Sequence, residues 1–223
     1  MVSLIEERTL GSVWLEVCRR ILEHGVDATY DGAPMRELPH LTLRISQPNP
    51  DDATIAELGD PEWLGWMRRN FEEVDDVAEL GGARSYARRL RDYEGRDQVG
   101  WVVERLRSDP ATRSATITTL QPLTDTTYVP CVSLLDFWRA DNALELVVYA
   151  HSLDFGKKAY GNLVELARLQ QLVAGELGLP PGPLTIYVKS AHVYEPEWAL
   201  MAQLVSNSRG EASVSAPGFA SGA

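Results

Sequence analysis

Residues 131–154 read CVSLLDFWRADNALELVVYAHSLD. Two apolar runs, 131–138 and 143–150, flank the turn at Asp141, Asn142 and Ala143. Runs of this length bounded by turn residues read as strands, and the short polar link between them favours a hairpin. Downstream, the pattern predicts a long helix over about 161–177, stopped near Gly178 and the Pro180–Pro181 pair. PLTIYVKS (183–190) reads as a further strand and 196–206 as a helix. Upstream, RSATITTL (113–120) is strand-like and 97–107 helical. A helix is expected from Pro61 to about Glu73, with proline in its first turn. Residues 47–60 read as loop. Leu41, Leu43 and Ile45 alternate with polar residues as in a strand, and 12–24 carries Trp14, Val17, Cys18, Ile21 and Leu22 at helical spacing. Helices flanking a multi-stranded, largely antiparallel sheet give an α+β domain. Residues 1–205 are expected to form that domain. From 206 to 223 the chain is mostly Ser, Gly and Ala, too apolar-poor to order itself, and a flexible tail is expected.

The chain has 223 residues and a formal net charge of −11. That length suits one domain with a sizeable core. Charge is unevenly spread. Residues 51–80 hold ten acids against Arg68 and Arg69, whereas 81–120 hold eight arginines against five acids. An acidic chain lacks the cationic surface that general nucleic-acid binding requires, but a local arginine excess suits a small phosphate ligand. Two cysteines, Cys18 and Cys131, make neither a disulfide framework nor a four-thiolate zinc site. With no apolar run of about 18 residues and acids where a signal peptide needs positive charge, a cytoplasmic protein without membrane contact is expected.

Several segments combine residue types that carry chemistry. Ser85-Tyr86-Ala87-Arg88-Arg89-Leu90 precedes Asp97-Gln98 and Asp109-Pro110-Ala111-Thr112-Arg113. Pro130-Cys131 opens the hairpin, His151-Ser152-Leu153-Asp154 closes it, and Asn162 follows eight residues after Asp154. Ala191-His192-Val193-Tyr194 ends the last strand. Each has a plain structural reading. Cys131 fits a buried core thiol, since free cysteines are among the most buried residues, as well as a nucleophile, which needs a lowered pKa and access. Asn162 fits a helix N-cap, His192 a structural histidine, Arg113 a solvated arginine, and the acidic block a solvated face.

In order and spacing, however, these segments resemble the thymidylate synthase family, especially its short archaeal-type members and the nucleotide hydroxymethylases. The resemblance runs from about residue 12 to about 200. It implies a mixed β-sheet flanked by helices, a homodimer packed through the sheet, and 5,10-methylenetetrahydrofolate as cosubstrate. It also implies a pyrimidine nucleotide of dUMP, UMP or CMP type as substrate. Carbon 5 of a pyrimidine is a poor nucleophile. A thiolate adding at carbon 6 turns it into an enolate-like carbon that attacks a one-carbon electrophile. Cys131 matches the family nucleophile and Tyr86 a tyrosine near it that helps remove the carbon-5 proton. Asn162 matches the base-reading residue, whose amide pairs with O4 and N3–H of uracil; relatives that take cytosine carry aspartate there. His192 and Tyr194 match the sugar-binding pair. Ser152 matches a phosphate contact, Asp154 an aspartate that touches the pterin, and Arg113 an arginine that crosses a two-fold dimer to the partner's phosphate site. For the catalytic glutamate the candidate is Glu62, before Trp63 and Trp66, with Glu72 and Glu73 as rivals.

The sequence also departs from that pattern. His151 stands where the family has a phosphate-binding arginine, and Ser114 follows Arg113 where two arginines are usual. Arg36, Lys157 and Lys158 are candidates to compensate. Gly161 occupies a position usually held by a bulkier residue. No tryptophan lies between Val77 and Ser85, where methylating enzymes carry one that shields the intermediate, which leans toward a hydroxymethyl product. Modified-nucleoside biosynthesis is then as open as thymidylate supply. Two other classes are weighed: a cysteine hydrolase using Cys131 with His151 or His192, for which no nucleophile turn or oxyanion loop is present, and a noncatalytic nucleotide-binding relative.

Overall fold

A computed structural model describes residues 3–75, 77, 80–125 and 128–214, with backbone only over 209–214. The hairpin quoted above is its centre. β5 (Val132–Ala140) and β6 (Ala143–Ala150) pair antiparallel, and Asp141 takes the left-handed conformation (φ 49°) that lets the chain reverse in two residues. α6 (Ala159–Glu176) then crosses the sheet and delivers β8 (Pro181–Tyr194) parallel to β6, as parallel pairing requires a crossover of this length.

Among the described residues one eight-stranded sheet forms, in the order β1-β3-β8-β6-β5-β4. β1 (Ser3–Glu7) runs parallel to β3 (Ala33–Ile45), which is antiparallel to β8. β2 (Val26–Tyr30) pairs with β3, β4 (Thr116–Thr118) with β5, and β7 (Leu153–Asp154) with β8. The sheet is therefore mixed, with three parallel pairings, where the sequence pattern alone pointed to a largely antiparallel one. Its inner face buries Leu41, Leu43, Leu135, Phe137, Leu146, Val148, Leu184 and Ile186. Against that face lie α1 (Leu10–His24), whose capping box joins Thr9 and Ser12, and α6. Burying this apolar face is the main stabilising term, at roughly 25 cal/mol per Å² of apolar surface removed from water.

Other elements refine the expectations. The stretch 47–60 contains a short helix, α2 (Ala53–Leu58). Its cap, Asp52, accepts from Ile55 N–H at 3.0 Å and also from Gly11 N–H of α1 at 3.0 Å, so a tertiary contact fixes it. α3 (Pro61–Glu72) and α5 (Gln98–Ser108) lie where proline and apolar spacing place them, and α4 (Tyr86–Arg91) is added between them. The strand expected over 113–120 narrows to three residues. The helix expected over 196–206 begins as a 3-10 turn at Glu195–Glu197 and continues as α7 (Trp198–Val214), past the expected start of the tail. The rest of that tail, 215–223, lies outside the described residues. No helix among the described residues is long and apolar enough to cross a membrane.

Two irregularities shape one end of the sheet. The register of β5 on β6 slips between Val132 and Leu134, and His40 takes a left-handed φ of 58° where β3 passes β8. A register slip like the first bends a strand and re-aims its side chains. The first lies next to Cys131.

Candidate active site

Cys131 sits just before β5, half-buried, its carbonyl accepting from His151 N–H at 3.0 Å. The next amide, Val132 N–H, donates to the Tyr86 hydroxyl at 3.0 Å. Tyr86 is held from three sides. Ser85 caps α4, Asn70 Oδ1 accepts from Tyr86 N–H at 2.9 Å, and the Phe71 ring lies 4.5 Å away. Tyr86 thus ties α3 and α4 to the first residue of β5. Burial, aided by the nearby Cys131 and Tyr128, holds its phenol well above the ordinary value, so it stays protonated near neutrality.

Burial also pushes the Cys131 thiol up, Lys158 pulls it back, and Asp154 adds to the rise. Asp154 is paired in register with His192, and Phe155 N–H donates to the His192 carbonyl at 2.8 Å. Burial raises the Asp154 carboxyl against the pull of His192 and lowers the His192 imidazole against the pull of Asp154. The His192 ring lies edge-on to Tyr194, centroids 5.1 Å apart. His192 Nδ1 is buried and has no partner among the described residues.

Asn162 lies in the first turn of α6 and is 3% exposed. Its Nδ2 donates to the Lys158 carbonyl at 3.0 Å. A carbonyl cannot accept from a carbonyl, so this bond fixes the amide orientation. It leaves Oδ1 buried without a partner among the described residues, alongside the second Nδ2 hydrogen. Buried polar groups are nearly always satisfied, and one left open asks for a ligand.

Glu62 lies in the first turn of α3, its N–H bonded to Asp60 Oδ1 at 2.8 Å. It lines a cleft of about 470 Å³ with Trp63, Trp66, Arg69 and Lys158. Of its rivals, Glu72 is bonded to Arg68 at 3.0 Å and Glu73 caps the far end of α3. The Lys158 ammonium sits 5.4 Å from each of the Trp63 and Trp66 ring centroids.

The phosphate candidates separate. His151 Nδ1 is 3.3 Å from Ser133 Oγ, and burial with the nearby Lys189 lowers its pKa. Near neutrality it is a neutral hydrogen-bonding group, not a substitute cation. Ser152 follows it, half-buried. Arg36 is not brought to this cluster. Its guanidinium bonds Asp27 at 3.1 Å and the Leu22 carbonyl at 3.2 Å, and lies 4.4 Å over the Trp198 ring. Lys157 pairs with the buried Glu197 at 2.7 Å, and the Lys158 ammonium lies over the tryptophan rings. Arg113 lies on the outer face of the sheet, 4.7 Å over the Trp138 ring. The sequence reading missed Trp63 and Trp66 as cleft walls and Lys158 between them. The only signal was local: a lysine pair in a chain whose other cations are nearly all arginine.

Similarity to known proteins converges on one group. The family model described as thymidylate synthase matches residues 43–215. The "Putative thymidylate synthase" of Methanosarcina acetivorans is 32% identical over 211 residues, covering 91% of this chain and 94% of that one. The protein of the same name from Methanopyrus kandleri is 32% identical over 197 residues, covering 87% and 94%. The thymidylate synthase of Mycoplasma genitalium is 29% identical over 136 residues, 60% of this chain and 47% of that one. With its Cys131, Tyr86, Asn162 and His192 gathered at one end of a mixed sheet, the chain belongs to the thymidylate synthase family.

Proposed function

We propose that the protein transfers a one-carbon unit from a folate to carbon 5 of a uracil nucleotide, through a covalent bond between Cys131 Sγ and carbon 6. One observation carries the reading of the base. Asn162 presents a buried, unpartnered acceptor next to an amide hydrogen, the complement of uracil N3–H and O4. The Cys131 thiolate adds to carbon 6, and the pair of electrons displaced toward the carbon-5/carbonyl system is stabilised by preorganised donors. Tyr86, protonated and one residue from the nucleophile, is placed to orient a water for removal of the carbon-5 proton. His192 and Tyr194 offer the sugar a buried, open nitrogen and a phenol. Glu62, with Asp154 beyond it, supplies carboxyl groups to the cosubstrate side.

Methylenetetrahydrofolate fits the cleft of α3. Two indoles give flat walls for a planar heterocycle, Trp66 Nε1 is buried without a partner among the described residues, and Arg69 and Lys158 are cations for its carboxylates. When bound, it supplies the one-carbon unit at the oxidation level of formaldehyde. Whether the product is hydroxymethyl or methyl is reported by dihydrofolate formation, which accompanies only the methyl outcome.

The outer sheet face supports a two-fold dimer. Leu134, Trp138, Val147 and Tyr149 are 39%, 37%, 41% and 38% exposed on neighbouring strands β5 and β6. An apolar patch of this kind marks an interaction surface. Arg113 rests on it, suitably placed to reach a partner's site.

The test is direct. Carbon-5-tritiated dUMP, UMP and CMP are incubated with the protein and methylenetetrahydrofolate. Tritium release with a uracil nucleotide is expected, and Cys131→Ala should abolish it. No release from any of the three would sink the proposal.

A further inference from the structure

We infer that Glu37 is a specificity residue for the sugar, and that the nucleotide is a ribonucleotide. This rests on the reading of His192 and Tyr194 as the sugar-binding pair, and it names the sugar which that reading leaves open.

Strand register sets Glu37 beside that pair. On β3 it lies opposite His192 of β8, and Met35, two residues before it, lies opposite Tyr194. Residues opposed on antiparallel strands share a face, with Cβ atoms about 4.5–5.5 Å apart. A side-chain bond fixes the same arrangement. Ser190, two residues before His192 and so on its face of β8, donates from Oγ to Glu37 Oε2 at 2.6 Å. Arg36 alternates to the other face of β3, where it bonds Asp27 and the Leu22 carbonyl. On the far side of β8, Asp154 of β7 stands opposite His192. Glu37, His192 and Asp154 thus form one row across three strands, and the row ends beyond Glu37 on Val26 of β2.

Two groups in this row are open. His192 is 5% exposed and its Nδ1 has no partner among the described residues. Glu37 is half-buried, forms no ion pair among the described residues, and engages only Oε2. A carboxylate accepts and cannot donate, so Oε1 is suited to a hydroxyl hydrogen. A ribose carries two hydroxyls on neighbouring carbons, one for the imidazole nitrogen and one for the carboxylate oxygen beside it. A 2′-deoxyribose carries only the first and leaves Glu37 without its partner. A site built to bind a substrate hydroxyl rejects the analogue that lacks it, because its own polar group is then left unpaired.

The measurement is equilibrium binding by titration calorimetry, on the full chain without folate. The ligands are UMP, dUMP and 2′-deoxy-2′-fluoro-UMP, which keeps an electronegative atom at carbon 2′ but has no hydrogen there to donate. UMP should bind at least about ten-fold more tightly than either of the others. In Glu37→Ala and Glu37→Leu, UMP should fall to the level of dUMP, while dUMP binding changes little. Thermal melts identify any variant that has lost its fold. Equal affinities for UMP and dUMP would overturn the inference, as would no binding of UMP. So would a fluoro analogue that binds like UMP, or an unchanged preference in a folded Glu37 variant. Binding is read without one-carbon transfer, so the two readings fail separately. A preference for UMP with no tritium release would sink the reaction and keep the sugar assignment. Release from UMP and dUMP with equal affinities would do the reverse.

Discussion

Tyr86 shows how one side chain can serve fold and chemistry together. Its oxygen accepts from an amide beside the nucleophile while its hydrogen remains free to donate. Tyr86→Phe keeps the ring packed on Phe71 but leaves the Val132 N–H buried and unpaired. Such a loss costs about 1–3 kcal/mol. We expect a lower denaturant midpoint with an unchanged slope, together with a tritium-release rate reduced by an order of magnitude or more. Loss of stability at full activity would show that the hydroxyl is only a strut. Cys131, Tyr86, Asn162 and His192 were legible in the sequence because each lies in a short segment of recognisable order. Lys158 was not. Its setting depends on two indoles almost a hundred residues earlier, and no local pattern encodes that meeting. Arg36 is the converse case: its segment resembles the family's, and its guanidinium meets Asp27, the Leu22 carbonyl and the Trp198 ring.

At the scale of elements, α3 and α6 pack closely at Gly161. A Cβ there would stand 3.0 Å from Met67 Cβ and 3.2 Å from Met67 Cγ. This accounts for the small residue where a bulkier one was expected: α3 comes in against the first turn of α6. Gly161→Ala should destabilise by about 1–3 kcal/mol through overpacking. It should also push Trp66 and Lys158 apart, raising the KM for folate more than that for nucleotide in steady-state assays. Equal changes in both would point to general loss of order. The hairpin and the long helices could be read from periodicity, which depends only on neighbours in sequence. The short strands could not. β1 reads SLIEE, with charge at its end, and becomes a strand because β3 lies beside it. β4 shrinks to three residues, although Ala115 still accepts from Phe137 N–H at 3.1 Å.

At the scale of the whole molecule, the reading requires two chains. In the proposed dimer Cys131 would serve its own chain's site, whereas Arg113, on the outer face, would complete the partner's. In a two-fold dimer the same patch serves both subunits. Cys131→Ala and Arg113→Ala should each be nearly inactive alone. Mixed under conditions that exchange subunits, half of the dimers are hybrids with one intact site of two, so about one quarter of wild-type activity should return. No recovery in a mixture whose subunit exchange is demonstrated would place Arg113 in its own chain's site. The uneven charge along the chain also changes meaning at this scale. The arginine-rich stretch is mostly consumed internally, with Arg89 bonding Asp125 in a bidentate pair at 2.8 and 2.9 Å.

One feature of α6 limits how such a site can diversify. Asp154 lies on β7, its carbonyl accepting from Lys158 N–H, and from there Lys158 and Asn162 stand four residues apart at the start of α6, the second N–H bonding to the first carbonyl. A residue inserted between them would rotate everything beyond it by about 100° around the helix axis. The lysine and the proposed base reader would then no longer hold the orientation they share at the start of the helix. Length changes in this stretch are closed to evolution as a route to new substrates. Replacement of side chains, one rung at a time on a fixed ladder, is the route left open.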